Sequence, residues 1–524
     1  MTIQIYDTTL RDGTQREGIS LSCDDKVRIA RKLDDLGVAY IEGGWPGSNP
    51  KDAEFFSLAR GMRWKHSVIT SFGSTCRAGG KPDNDANTTA LLESGTAVCT
   101  LVGKSSLSHV SDVLRTTPEE NLRIIEESTA YLVSRGRRVF YDAEHFFDGY
   151  KLDRSYALET LRAAGRGGAE ILILCDTNGG SLPWEIGNVV RDVRNEIPGS
   201  LGIHTHNDAE CAVANALAAV REGCTQVQGT VNGYGERCGN ANLISVIGNL
   251  SLKLGLECIP QENLRHLTET SQYVSEIANL APDPHLPYVG KSAFAHKGGI
   301  HVAAIRRNPD SYQHTDPERV GNNMRVVISE LSGRGNVLSK SEEFGVEISG
   351  SHGVEEVLGE IKALEAKGFS FEAAEASVAM MMKRRQDGYS PPFELLDMMV
   401  NVENRRGRGI FAEATVKVRV GGEIIHTAAE GNGPVNALDI AIRKALAPLF
   451  PSIHAFRLAD YKVRILDGDQ GTGATTRVLI ETQNGTRRWN TVGASANIIE
   501  ASWRALADSI EYGLMTTSEG PERS

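Results

Sequence analysis

The chain has 524 residues, of which 40% are hydrophobic and 23% charged, which is typical of a globular protein of roughly two to four domains. The formal net charge of −11, with no basic stripe interleaved with aromatic residues, argues against nucleic-acid binding, and no apolar run is long enough to predict a membrane span. The N-terminus lacks the pattern of a signal peptide and the eight cysteines form no C-x-x-C pair, so we expect a cytoplasmic protein with reduced thiols.

The first half of the chain alternates between short β-branched runs and segments of helical period. Eight strand–helix units predict a closed parallel (β/α)₈ TIM barrel over residues 1–265. An open doubly wound sheet is the alternative, but no dinucleotide-binding glycine pattern follows the first strand. The predicted strands cover residues 3–7, 38–44, 68–73, 97–103, 138–144, 170–176, 202–206 and 226–231.

Two helices of this region carry boundary signals. Val27, Ala30 and Leu33 share one side of a helix that Gly37 should end. Thr117, which precedes a proline, is a candidate N-cap for a later helix. Both signals place helices between predicted strands.

The rest of the chain changes character twice. Residues 266–392 are predicted to form mainly helical linker subdomains, which end at the Pro/Gly-rich stretch DGYSPPF. Residues 393–516 show strands followed by a helix twice, with a hairpin around Gly421-Gly422, and Asn436 and Asn497 near the two helix starts. This pattern predicts a C-terminal α+β domain with an internal pseudo-repeat of roughly 55–60 residues. Because it holds no catalytic cluster, we expect a regulatory (allosteric or dimerisation) domain.

The stretch GIHTHND places His204 and His206 on one face of the seventh strand, because side chains alternate along a strand. Active sites of such barrels lie at the carboxyl ends of the strands, where Asp12 follows the first strand. Two imidazoles and one carboxylate suit a divalent ion such as Mn, Zn, Co or Mg. Asn240, after the eighth strand, is a candidate fourth ligand. Arg11, which keeps its charge, can hold a carboxylate or an oxyanion beside that ion, so a 2-oxo acid is the expected substrate.

Several motifs resemble one family. DTTLRDGTQ, IEGGWP, DTNG, HTHND and GYGERCGNAN are similar to the 2-isopropylmalate synthase, homocitrate synthase and citramalate synthase family, whose members are metal-dependent Claisen-condensing (β/α)₈ enzymes. The resemblance extends to FAHKGGIHVAAI, and WNTVGASANIIEASWRALADSIEY resembles the family's regulatory domain. It implies acetyl-CoA as a substrate and a homodimer or higher homo-oligomer.

The resemblance also implies roles for single residues. Asp12, His204, His206 and Asn240 match the metal ligands. Arg11 and Thr177 match residues that contact the 2-oxo acid, and Gln15 is assigned to substrate binding with them. Glu144 matches an acidic catalytic residue, while His301 and Tyr312 resemble catalytic groups that a neighbouring subunit supplies.

Within the family, YDTTLRDGTQREGISLS, EGGWPGSNPKD and DAEHFFDGY look most like the citramalate synthase branch, which implies pyruvate as the acceptor and isoleucine as feedback inhibitor. The motif ending GGWP and the histidine at position 145 depart from the usual 2-isopropylmalate synthase pattern. That activity and homocitrate synthase stay alternatives. The long C-terminal domain argues against a hydroxymethylglutaryl-CoA lyase, and the complete residue set argues against an inactive amino-acid sensor.

Overall fold

The structure is a computed structural model that describes residues 2–348, 350–407 and 409–517. It divides into two compact units, Met1–Phe294 with Thr315–Asn323, and Ala295–His314 with Met324–Ser524. The domain limits at residues 265 and 392 stay a prediction. Across the described part of the chain, no helix combines the length and the apolar surface needed to cross a bilayer. All eight cysteines are free thiols.

The first unit contains the predicted barrel. Its eight strands are parallel and pair in sequence order, and the last strand closes on the first through the pair Gln4↔Gln226 and the three that follow. This confirms the (β/α)₈ fold class. The strands are β1 Gln4–Asp7, β2 Tyr40–Glu42, β3 Val68–Ser74, β4 Val98–Lys104, β5 Arg138–Glu144, β6 Ile171–Asp176, β7 Ser200–Thr205 and β8 Gln226–Gly229.

Helices surround the barrel, and their ends follow the predicted signals. Gly37 ends the helix Cys23–Leu36 with a φ of 95°, and Thr117 caps the helix Pro118–Ser134 by accepting a hydrogen bond from the backbone N–H of Glu120. The α-helices of this unit are α1 Cys23–Leu36, α2 Pro50–Arg60, α3 Ala86–Glu93, α4 Leu107–Asp112, α5 Pro118–Ser134, α6 Phe146–Leu152, α7 Arg154–Arg166, α8 Pro183–Glu196, α9 Ala212–Arg221, α10 Leu243–Leu252 and α11 Leu267–Ile277.

An aromatic cluster fills the barrel interior near the amino ends of the strands. Tyr6, Tyr40 and Phe140 are buried there, and the rings of Tyr40 and Phe140 meet edge to face with centroids 5.0 Å apart. The interior turns polar toward the carboxyl ends, where β5 carries Asp142 and Glu144. The cluster therefore closes the barrel beneath its polar end.

The second unit begins with short elements and three longer helices. A two-stranded parallel sheet pairs Ala295–His296 with Arg325–Val326, and the three longer helices surround an apolar cluster that includes Val337, Val357 and Met382. The elements are β9 Ala295–His296, α12 Gly299–Ile305, β10 Arg325–Val326, α13 Arg334–Phe344, α14 Gly350–Glu365 and α15 Glu375–Lys383.

The C-terminal region confirms the predicted α+β repeat. Each half is a three-stranded antiparallel sheet followed by a helix, and the halves begin at Glu394 and Arg457, so the repeat is slightly longer than predicted. Asn497 caps the second helix, whereas Asn436 lies inside the first. The elements are β11 Glu394–Arg405, β12 Gly409–Val420, β13 Glu423–Gly431, α16 Pro434–Leu446, β14 Arg457–Ile465, β15 Thr476–Gln483, β16 Arg488–Ser495 and α17 Ile498–Thr516.

Candidate metal centre and active site

Asp12, His204 and His206 meet inside the carboxyl end of the barrel. The Nε2 atoms of the two histidines lie 3.3 Å apart, and Asp12 Oδ2 lies 3.5 Å from Nε2 of His204 and 3.9 Å from Nε2 of His206. All three residues are buried. Thr205 points away from them and donates a hydrogen bond from Oγ1 to the carbonyl of Ala212 at 3.0 Å. The structure therefore brings the two imidazoles and the carboxylate to one point.

The donor atoms of this cluster suit a divalent cation. Among the described residues, the buried oxygens Asp12 Oδ1 and Asn240 Oδ1 have no hydrogen-bond partner. Burial and the neighbouring His204 lower the pKa of His206, so its ring is neutral and keeps a lone pair. Burial alone raises the pKa of Asp12, but the opposing effects, led by the charge of Arg11, outweigh it and hold that pKa below its ordinary value. Nitrogen and oxygen donors of this kind fit Mn, Zn, Co or Mg.

A glycine-rich loop brings Asn240 to the cluster. Residues His206 and Asn240 form an isolated antiparallel bridge, and the backbone N–H of Asn240 donates to the carbonyl of Gly233 at 3.1 Å. Gly239 has a φ of +90°, and a Cβ at this position would lie 2.0 Å from the Gly233 oxygen. The approach of Asn240 therefore depends on a glycine at position 239.

Arg11 is held by a buried carboxylate. Its Nε donates to Oε1 of Glu42 at 2.5 Å, and its guanidinium lies 3.9 Å from the ring centre of Phe72. Glu42 also accepts hydrogen bonds from Tyr6 and Thr8. Although burial lowers the pKa of Arg11, the charge of Glu42 raises it above its ordinary value, so the guanidinium stays charged. The sequence analysis gave Glu42 no role, although it lies within the predicted strand 38–44.

Glu144 and Thr177 lie at the ends of β5 and β6. Glu144 forms an ion pair with Lys104, which is its register partner on β4. The hydroxyl of Thr177 accepts a hydrogen bond from the backbone N–H of His145 at 2.8 Å. His145 has a φ of 56°, a left-handed conformation that is uncommon outside glycine. These contacts connect the carboxyl ends of β4, β5 and β6 at the same end of the barrel as the cluster of Asp12, His204 and His206.

One cavity of about 440 Å³ joins most of the predicted site residues. Asp142 also lines it, and burial followed by the charge of Glu42 raises the pKa of Asp142 to about 8. The sequence analysis gave Asp142 no role, although it lies two residues before Glu144 and so shares its face of β5. The predicted residues in the cavity wall are Arg11, Asp12, Gln15, Glu144, Thr177, His204 and His206.

The last two predicted catalytic residues belong to the second unit. His301 lies on α12, and Tyr312 follows it by a short loop. Their rings stack with centroids 4.3 Å apart and an interplanar angle of 29°. The side chain of Tyr312 is exposed in this unit.

Asp7 is the last residue of β1 and is fully buried. Its carboxyl accepts hydrogen bonds from the backbone N–H and hydroxyl of Thr9, at 2.9 and 2.8 Å. Burial raises the pKa of Asp7 to about 7. The unfolded chain releases this proton near pH 4, so the folded state should lose stability relative to Asp7→Asn as pH rises from about 4 to about 7. Urea unfolding of both proteins at about pH 4.5 and 7.5 measures the change, and a constant difference would contradict it.

Comparison with known proteins places this site in a family. Residues 2–274 match the HMGL-like family, residues 288–368 match the homocitrate synthase post-HMGL domain-like family, and residues 372–514 match the LeuA allosteric (dimerisation) domain. The chain therefore belongs to the HMGL-like family, in the group of synthases that also carry a LeuA domain, which confirms the family predicted from the motifs.

Individual relatives narrow the comparison. The chain is 52% identical over 519 residues to an (R)-citramalate synthase of Geobacter sulfurreducens, covering 99% of this chain and 98% of the relative. It is 44% identical to an (R)-citramalate synthase of Sulfolobus acidocaldarius, covering 98% and 97% of the two chains. A 2-isopropylmalate synthase of Methanocaldococcus jannaschii is 31% identical, with 97% and 94% covered. The chain is thus more similar to these citramalate synthases than to that 2-isopropylmalate synthase.

Proposed function

We propose that the protein is a cytoplasmic (R)-citramalate synthase, an acyltransferase that condenses acetyl-CoA with pyruvate and hydrolyses the thioester to release citramalate and CoA. The observation that carries this proposal is the identity of 44% to 52% with five (R)-citramalate synthases over nearly the whole chain. The cluster of Asp12, His204 and His206 beside Arg11 supplies the groups that such a condensation needs.

The 2-oxo acid is proposed to bind between Arg11 and the metal-type cluster. Asp12, His204, His206 and Asn240 hold a divalent ion, which when bound acts as a Lewis acid toward the keto group. Arg11, kept in place by Glu42, faces the oxygen on which negative charge develops during the attack. Thr177 and Gln15 contact the acid and orient its keto carbon toward the second substrate.

Proton transfer is proposed to centre on Glu144. Paired with Lys104, it organises the base that removes a methyl proton from acetyl-CoA, and the resulting carbanion attacks the keto carbon. The new alkoxide takes up a proton, and water then cleaves the thioester to give a carboxylate and CoA. His301 and Tyr312 serve the site of a neighbouring subunit, so that a homodimer or larger homo-oligomer is the active form. The match to a LeuA allosteric (dimerisation) domain supports this part.

Release of CoA from acetyl-CoA tests the proposal. At equal concentrations, pyruvate should support faster release than 2-oxoisovalerate or 2-oxoglutarate, and a chelator should stop the reaction because the cluster is then empty of metal. Adding back a divalent ion should restore the rate. Faster release with 2-oxoisovalerate would instead assign 2-isopropylmalate synthase activity, and no release with any acid would contradict catalysis altogether.

Isoleucine is the proposed feedback inhibitor, acting through the C-terminal domain. The match of residues 372–514 to a LeuA allosteric domain supports this assignment. Isoleucine should inhibit the full-length enzyme more strongly than leucine at equal concentration. A deletion from residue 395 onward is a poor test, because Ser377 of α15 accepts a hydrogen bond from the backbone of Val492 at 3.1 Å and Arg384 pairs with Asp508 at 2.7 Å. Such a cut removes the packing surface of α15.

A further inference from the structure

A buried glutamine connects His204 to Asp142 across the barrel interior. Gln228 lies on β8, and its Oε1 is 2.9 Å from Nδ1 of His204. Its Nε2 donates to Oδ1 of Asp142 at 3.0 Å. The backbone fixes this arrangement, because Gln228 is the register partner of His204 on β7. Gln228 has no exposed surface, so water does not compete for either contact.

The polarity of these two bonds follows from the groups involved. A glutamine amide can sit either way round, and its neighbours decide which end faces which. The structure places the Nε2 of the Gln228 amide toward Oδ1 of Asp142, which accepts this hydrogen bond as a carboxylate oxygen or as the carbonyl oxygen of a neutral acid. The amide oxygen then faces His204 and accepts its Nδ1 proton. Nε2 of His204 is thereby left with its lone pair toward Asp12 and His206.

His206 offers a contrast inside the same cluster. Its Nδ1 is buried and has no hydrogen-bond partner among the described residues. Nothing described in the protein therefore selects the tautomer of His206, whereas the amide of Gln228 selects that of His204. The two histidines are therefore not equivalent. The ring of His204 is oriented by its contact to Gln228 before any ion binds.

We infer that Gln228 is a positioning residue that holds the proton of His204 on Nδ1 and so directs the Nε2 lone pair at the site where Asp12 and His206 converge. The inference rests on the proposed metal-dependent function and specifies how this chain prepares its ligand set. Outer partners of this kind orient metal-binding histidines and raise their basicity. Asp142 acts one step further out, by fixing which end of the Gln228 amide faces His204.

Metal affinity of the full-length protein tests the role of Gln228. Gln228→Met has nearly the same length but no acceptor, and it should weaken Co(II) binding by about 10- to 100-fold in a chelator-competition titration. Gln228→Glu keeps an acceptor against Nδ1 and should lose less affinity than Gln228→Met. If Gln228→Met does not fold, Gln228→Leu removes the same acceptor and takes its place.

Gln226→Met is the matched control. Gln226 lies two residues earlier on the same face of β8, is equally buried, and its Nε2 lies 3.5 Å from the side chain of Gln4 rather than near a histidine. This variant should bind Co(II) as the wild type does, and metal-free Gln226→Met and Gln228→Met should unfold at similar temperatures. The affinity difference then reports on the contact to His204 rather than on barrel packing.

Three results with the variants would overturn the inference. They are unchanged affinity in Gln228→Met, an equal loss of affinity in Gln226→Met, and a loss in Gln228→Glu as large as that in Gln228→Met. A wild type that binds no Co(II) would refute the metal-dependent function itself and this inference with it. That outcome is distinguishable, because it does not depend on any variant.

Discussion

Replacing His204 by alanine should abolish metal-dependent CoA release while leaving the barrel folded. The change removes one of the two imidazoles whose Nε2 atoms lie 3.3 Å apart. The variant should then lose the stabilisation of transition-state charge that a bound ion supplies. A loss of several kcal/mol corresponds to a fall in kcat/KM of at least about 1,000-fold. Circular dichroism checks the fold, and metal analysis of the purified variant checks the loss of the ion.

His66→Ala is the control for this variant, because His66 is an exposed histidine in the loop before β3. It should keep wild-type turnover and metal content. Near-normal activity of His204→Ala would remove His204 from the ligand set, and loss of the barrel signal would show that the residue serves folding instead.

Arg11→Lys should lower kcat/KM for pyruvate by about 100- to 1,000-fold, the usual effect of removing one donor that stabilises an oxyanion. Arginine donates to Glu42 through Nε and has two further nitrogens that face Asp12 and the proposed substrate position. Lysine keeps the charge but has a single nitrogen, which cannot make all of these contacts. Separate measurement of kcat and KM shows whether the arginine acts in binding or in the transition state.

Arg16→Lys makes the same change in the same loop at an exposed position. It should leave both constants unchanged. A fall in kcat/KM of less than tenfold in Arg11→Lys would contradict the proposed role of the guanidinium. Thermal unfolding of the variant shows whether loss of the contact to Glu42 has also lowered the stability of the protein.

The sequence predicts the barrel because each unit carries its own local signals. Every strand is a short β-branched run, and helix α1 shows its apolar face and its terminal Gly37 in the sequence itself. The longest strand that the sequence analysis did not single out is β11. Its register shifts between Leu395 and Asp397, so its alternation of apolar and polar residues is interrupted where it begins.

The candidate site is predictable only in part. Asp12 and the two histidines follow from one rule, which places active sites at the carboxyl ends of barrel strands. This rule does not predict roles for Glu42, Asp142 and Gln228. The sequence does not distinguish a polar strand residue that faces the barrel interior and a ligand from one that faces a surrounding helix. The pairing of β7 with β8 in the closed barrel places Gln228 beside His204, and the fold brings Glu42 into contact with Arg11. Neither contact can be read from the sequence.

The pairing of β8 with β1 has a consequence for the order of assembly. Asp12 follows the first strand, while His204 and Asn240 belong to the end of β7 and the loop after β8. During synthesis, a chain that has left the ribosome only as far as β6 holds the carboxylate but neither histidine nor the amide. The candidate ligand groups therefore come together only after β7 and the loop that follows β8 have been synthesised.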